Sequence, residues 1–221
     1  MIRAVLFDLD GTLADTAPDL GGALNRLLEE EGRAVLPHEA LRPHVSGGAR
    51  ALLRAGFGLS PDDARYPAMQ QRFLAHYEAH ICVGTRLFPG MAEVLEQLDN
   101  LGLPWGIVTN KIARYTLPVV AGLGLAERSA CVVSGDSAAR PKPAPDSLLL
   151  ACQQAGVTPG EAIYVGDDLR DIQAGKAAGM GTIAAAWGYL GDGPDIAEWN
   201  GDHIIQRPQE ILALLDEIDF L

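Results

Sequence analysis

Cysteine is scarce in this 221-residue chain, and the three that occur, Cys82, Cys131 and Cys152, are widely spaced with no C-x-x-C pair. An odd number at such separations argues against a disulfide framework and a zinc knuckle, and leaves three small core residues in a reducing compartment. Long apolar runs are also missing. Although 48% of the residues are hydrophobic, no run nears the roughly 20 continuous residues that a membrane span requires, so no membrane partner is expected. The opening MIRAVLFDLD follows its apolar stretch with two acids instead of a small-residue cleavage site, which does not read as a signal peptide. The expected location is the cytoplasm. Positive charge is the third shortage: 17 Lys and Arg against 29 Asp and Glu give a formal net charge of −12. Most of such a surface repels nucleic acid. An anionic ligand would need a bound cation or a few placed basic groups to draw it in. Internal repeats and low-complexity stretches are absent as well.

What is present is an alternation. Ala4 to Phe7 is a continuous apolar run that stops at Asp8-Leu9-Asp10-Gly11, as a strand buried on both faces would. Similar runs recur at Trp105 to Val108, Cys131 to Val133, Ala162 to Val165 and Thr182 to Ala186. Between them, 88–102, 145–156 and 169–179 carry apolar residues at helical spacing and each ends on glycine. The pattern predicts an α/β fold, a Rossmann-like parallel sheet covered by helices. Residues 16–84 interrupt it with helical patterns, around Leu20 to Leu28 and from Ala68 to Ile81, and no convincing strand. They are expected to form an inserted helical cap, with 1–15 and 85–221 making up the core. Gly191 to Pro194 reads as an exposed loop. Ligands of open α/β sheets bind outside the carboxyl ends of the strands, so an insertion after the first strand would cover the site.

The chemistry-bearing residues cluster at those strand ends. Asp8 and Asp10, two apart in an extended chain, point the same way and would share one pocket. Unpaired they would repel, and a divalent cation or a difference in role would relieve the conflict. Gly11 permits a sharp turn and Thr12 adds a hydroxyl. A second acidic cluster, Gly166-Asp167-Asp168-Leu169-Arg170-Asp171, follows another strand. Together the two clusters make an oxygen-rich set of the kind Mg²⁺ prefers. Thr109 and Asn110 after Val108, and Lys142 between two prolines, offer donors and charge to an anion such as phosphate.

In this order, D-x-D-G-T at Asp8 to Thr12, Thr109-Asn110 after an apolar run, Lys142, and G-D-D-x-x-D at Gly166 to Asp171 resemble the four motifs of the haloacid dehalogenase superfamily, over residues 4 to 186. The helical insertion resembles the cap of the phosphoglycolate phosphatase group. The resemblance implies a HAD-like core and a phosphatase using Mg²⁺ and an aspartyl-phosphate. Asp8 would be the nucleophile and Asp10 the general acid and base, with Thr109, Asn110 and Lys142 on the transferring phosphoryl group. The metal would be held by Asp8, the backbone carbonyl of Asp10, and Asp167. Asp168 stands where family members often have serine, and either it or Asp171 completes the site; Asp171 is favoured as a partner of Lys142 behind the metal. A monomer or homodimer acting on a small-molecule phosphomonoester is the expected form.

Within the cap, Ser46-Gly47-Gly48-Ala49-Arg50 precedes Leu52-Leu53. The N–H groups of Gly47 and Gly48 suit an anion and Arg50 suits a carboxylate, although a plain connecting loop accounts for the segment equally well. That segment and the G-D-D-L-R-D-I run resemble the branch acting on N-acetylmuramic acid 6-phosphate, which shares a carboxylate and a phosphate with 2-phosphoglycolate. A sugar-phosphate mutase and a metal-free dehalogenase are less favoured alternatives, and a non-enzymatic binding protein would have lost a motif residue. His76 and His80 have metal-pair spacing but no third ligand, so they are expected at the surface or in packing. Gly122-Leu123-Gly124 lacks the third glycine of a dinucleotide loop. Trp187, Gly188 and Tyr189 are either core filler or pocket wall.

Overall fold

The computed structural model describes residues 1–191 and 193–219. The chain opens with β1 (Ala4–Phe7), every residue buried, and a two-residue strand β2 (Ala14–Asp15). Four helices follow: α1 (Ala17–Glu30), α2 (His38–Leu41), α3 (Gly48–Phe57) and α4 (Tyr66–Ala79). The chain then returns through β3 (Arg86–Leu87), antiparallel to β2 with Asp15 opposite Arg86. From there strands and helices alternate as α5 (Met91–Asn100), β4 (Trp105–Val108), α6 (Ala113–Gly122), β5 (Val132–Val133) and α7 (Asp146–Ala155). The last elements are β6 (Ala162–Gly166), α8 (Leu169–Ala178), β7 (Gly181–Ala185), β8 (His203–Ile205) and α9 (Glu210–Asp219).

Six strands form one parallel sheet in the order β5-β4-β1-β6-β7-β8. Alternate residues of β1 serve opposite faces: Val5 and Phe7 pack with helices α5, α6 and α9 through Leu95, Val119 and Ile211, while Ala4 and Leu6 pack with Leu148, Cys152 and Ala174 of α7 and α8. This explains the unbroken apolar run of a strand covered on both sides. The chain leaves β1 toward β4 and β5, then crosses back to β6 on the other flank. The loops after β1, β4 and β6 therefore diverge around one crevice at the carboxyl edge.

All five apolar runs are strands, within one residue of the expected ends. The sequence reading lacked β8, whose three residues carry no alternation, and the two-residue pair β2–β3. The helix expected from Ala68 to Ile81 is shifted to Tyr66–Ala79. Asp192 of the expected loop lies outside the described residues, and Gly193 and Pro194 are exposed bends. No helix among the described residues is long and apolar enough to cross a membrane.

Candidate active site

The backbone N–H of Asp8 donates to Val165 O at 2.9 Å, so the pairing of β1 with β6 continues one residue past the strand and fixes Asp8 beside Gly166-Asp167. The chain then folds back sharply, with Ala14 N–H donating to Leu9 O at 2.9 Å and Leu13 N–H to Asp8 O at 3.3 Å. Gly11 turns this corner at φ +91°, and a side chain on it would overlap the Asp167 carboxylate. Both the backbone angle and the close approach call for glycine here.

Lys142 comes from the loop before α7 and is 4% exposed. Its ammonium donates to Asp8 Oδ1 (2.8 Å), Asp171 Oδ1 (2.7 Å), the Tyr164 hydroxyl (2.7 Å) and Val108 O (3.1 Å). Burial alone would favour the neutral amine, but the negative charges of Asp171 and Asp8 outweigh it and hold the lysine above its ordinary value. Asn110 clamps the same residue from behind: its amide N–H donates to Lys142 O (3.0 Å) and its carbonyl accepts from Lys142 N–H (2.9 Å). Asn110, expected to face the phosphate, thus positions the Lys142 backbone. The Thr109 oxygen accepts from Lys111 N–H at 3.1 Å, leaving its O–H to donate into the cavity.

Asp8, Asp167 and Asp171 each contribute a carboxylate oxygen to a buried cluster whose atoms lie within 4.8 Å of one another. Burial pushes the Asp8 carboxyl up to about 7, with Lys142 opposing and Asp171 adding to the rise. Asp167, fully buried, is raised well above the usual range by burial and by the charges of Asp8 and Asp171. Its oxygens accept from Thr12 Oγ1 (3.0 Å), Tyr189 N–H (2.8 Å) and Ser46 Oγ (3.4 Å). One lysine does not neutralise three such carboxylates. An all-oxygen donor set with surplus negative charge fits a hard divalent cation.

Asp10 takes a different direction. Its Oδ1 accepts from Thr16 Oγ1 (2.5 Å) and from Lys111 Nζ (2.6 Å), so its carboxylate stands apart from the three-Asp cluster while lining the same cavity. That cavity, about 400 Å³, runs from Asp8, Thr109 and Lys142 at the sheet edge to Phe73 and Tyr77 of α4. Gly47 and Gly48, at the start of α3, line it too. Arg50 does not: it is exposed and borders a neighbouring cleft. Asp168 caps α8, accepting from Arg170 N–H at 2.9 Å, and both its oxygens are held by the Arg170 guanidinium at 2.8 Å. The same guanidinium donates to Ser46 O at 2.9 Å, joining α8 to the segment before α3.

Two contributors, Lys111 and Tyr164, carried no sequence signal of their own. Lys111 had only its position after Thr109-Asn110 to recommend it. Tyr164 looked like strand filler. Gly188 packs so close to Asp167 that a Cβ would overlap it, and Tyr189 donates its hydroxyl to Asp15 while accepting from Thr16 and Ala17 N–H. Trp187 donates to Thr12 O at 3.0 Å. These three residues buttress the acidic cluster. His76 of α4 pairs with Glu30 (2.9 Å), and His80, just past the end of that helix, contacts His76 O.

The profile of the haloacid dehalogenase-like hydrolase family matches residues 5–185. An N-acetylmuramic acid 6-phosphate phosphatase of Pseudomonas aeruginosa is 42% identical over 97% of this chain and 95% of its own length. A phosphoglycolate phosphatase of Xanthomonas campestris pv. campestris is 43% identical over 95% and 94%. Among solved structures, a haloacid dehalogenase-like family hydrolase from Streptococcus pneumoniae superposes with a TM-score of 0.83 at 25% identity, covering 97% of this chain and 98% of that one.

Proposed function

The chain belongs to the haloacid dehalogenase-like hydrolase family, and on that premise we propose that it is a magnesium-dependent phosphatase of small carboxylated phosphomonoesters. The observation that carries this reading is the buried contact of Lys142 with both Asp8 and Asp171, beside Asp167 and at the floor of a cavity. Asp8 attacks phosphorus, forming an acyl-phosphate bond as the ester P–O bond breaks. Asp10 gives a proton to the departing oxygen and later takes one from the water that hydrolyses the acyl phosphate, a role typically worth about 10²- to 10⁴-fold in rate. Lys142 and the Thr109 hydroxyl hold the phosphoryl oxygens. Asp8 and Asp167, with the Asp10 carbonyl, would hold Mg²⁺, which supplies the positive charge that lets a carboxylate meet a phosphate. Asp171 keeps Lys142 oriented toward Asp8.

Residues 16–84 act in this scheme as a cap over a core of 1–15 and 85–221, and the cavity between them selects the substrate. N-acetylmuramic acid 6-phosphate and 2-phosphoglycolate are the candidates, from the names of the relatives. A volume of about 400 Å³ supports the larger, because sites that enclose drug-sized molecules span roughly 300–1,000 Å³. The thiols of Cys82, Cys131 and Cys152 are all free, which supports a cytoplasmic setting.

The test is phosphate release from both candidates with and without Mg²⁺. Metal-dependent release of free phosphate is expected, faster for the acylated sugar, and an Asp8→Asn variant should be inactive yet folded. Turnover by that variant, or return of the phosphoryl group to another sugar hydroxyl, would sink the hydrolase assignment.

A further inference from the structure

Three cations line the cavity among the described residues: Lys142, Arg170 and Lys111. The first is committed to two carboxylates, and the second holds both oxygens of Asp168 and the carbonyl of Ser46. Lys111 differs. Its one carboxylate partner is Asp10, and its ammonium otherwise lies over the ring of Tyr77, 5.0 Å from the centroid. Its backbone is pinned, with N–H donating to Thr109 Oγ1 (3.1 Å) and carbonyl accepting from Gly135 N–H (2.8 Å) and Thr116 Oγ1 (2.9 Å), so only the side chain has room to swing.

The residue beneath it carries a second sign of a ligand. Tyr77 is 1% exposed and lines the cavity; the Lys111 ammonium beside its hydroxyl oxygen can only donate, so the phenol O–H itself finds no acceptor. A buried O–H without an acceptor is costly to leave unmet, and such groups mark places that a ligand or water fills. Burial pushes this phenol up to about 12, so it remains an O–H donor. An ammonium and an orphaned hydroxyl side by side, among the apolar Phe73, Leu74 and Tyr115, form a receptor for an anion at the end of the cavity away from Lys142. A carboxylate in these apolar surroundings depends on that charge far more than it would in water.

We propose that Lys111 and Tyr77 form the subsite for the substrate's carboxylate, and that filling it draws Lys111 off Asp10 and frees Asp10 for proton transfer. The inference rests on the phosphatase reading above and deepens it, since it replaces Arg50 as the group that recognises the acid. It makes the carboxylate an activator of the chemical step as well as a handle for binding, so its loss should reduce kcat along with affinity.

Matched substrate pairs test this: N-acetylmuramic acid 6-phosphate against N-acetylglucosamine 6-phosphate, and 2-phosphoglycolate against 2-hydroxyethyl phosphate, each pair contrasting a carboxylated phosphate ester with one that lacks the carboxylate. The wild-type enzyme with Mg²⁺ should prefer the carboxylated member of at least one pair by about tenfold or more in kcat/KM, the scale of a charged hydrogen bond. Lys111→Met should erase most of that ratio, Tyr77→Phe should reduce it about threefold, and Lys111→Arg should keep part of it. An active wild type whose ratio is near one, or is unchanged in Lys111→Met while both substrates slow together, overturns the inference and leaves the phosphatase reading standing. A wild type that releases phosphate from neither pair overturns both.

Discussion

Replacing Lys142 with methionine tests how the acidic cluster is held together. Methionine fills nearly the same volume, so the perturbation is the loss of one charge and of four contacts, to Asp8, Asp171, Tyr164 and Val108. Three buried carboxylates then share a cluster within 4.8 Å with no cation inside it. Breaking a buried ion pair by removing one partner costs about 3–5 kcal/mol, and for a chain of this length each kcal/mol moves Tm by about 2–4 °C. A fall of about 6–20 °C is expected for the metal-free protein at about pH 8.

The pH dependence has a definite sign. The Asp8 carboxyl is raised from 3.8 to about 7, so the folded protein takes up a proton that the unfolded chain has released, and stability declines as pH rises through that window. Without Lys142 the carboxyl rises further, widening the loss on the alkaline side. At about pH 5 the Asp8 carboxyl is protonated in the fold and its charge is no longer stranded, so the difference between variant and wild type narrows. Thermal melts followed by circular dichroism in chelator, at both pH values, measure this. A drop below about 2 °C at the higher pH, or a larger drop at the lower one, would refute the reasoning.

Gly188→Ala places a Cβ against Asp167 and 2.6 Å from Gly11 O; overpacking of about 1–3 kcal/mol and weaker Mg²⁺ activation are expected, and an unaltered metal titration would count against the tight fit. Tyr164→Phe removes an acceptor from Lys142 and a donor (2.7 Å) from Val108 O; steady-state kinetics should show kcat falling with KM nearly constant, and unchanged kcat would make the hydroxyl irrelevant. Asp19 accepts from Gly84 N–H (2.6 Å), Thr85 N–H (3.0 Å) and Thr85 Oγ1 (2.6 Å). Asp19→Ala strands these buried donors at a cost of roughly 1–3 kcal/mol or more, which denaturant melts would register as a lower midpoint.

The sheet was legible because burial on both faces leaves an unmistakable imprint: Ala4 to Phe7 and Ala162 to Val165 are apolar at every position. β8 left no such trace, since His203-Ile204-Ile205 is an edge strand with Ile204 exposed. For the site, short-range spacing placed Asp8, Asp10, Thr109, Lys142, Asp167 and Asp171 at strand ends, and the structure brings all six to one cavity or its buried floor. The ion pair of Lys111 with Asp10 spans 101 residues, and the hydrogen bond of Tyr189 with Asp167 spans 22. No local pattern encodes such contacts; they follow from the register of β1 with β4 and of β6 with β7. Arg50 had the chemistry of a carboxylate partner and a place in the expected cap in its favour, but it borders the neighbouring cleft.

The two-residue ladder of Ala14-Asp15 with Arg86-Leu87 has a consequence larger than its size. Everything between those rungs departs from and comes back to a single spot, so in terms of connectivity four helices are one long loop. Closing a loop costs little more as it lengthens, so the length of the span is little burden on the sheet. The span is therefore a cassette: a different set of helices could be carried between Asp15 and Arg86, provided that it restores the contacts Ser46 makes with Asp167 and Arg170. What is recognised can then be exchanged as a block, with Lys111 left to tie each new choice to Asp10 below.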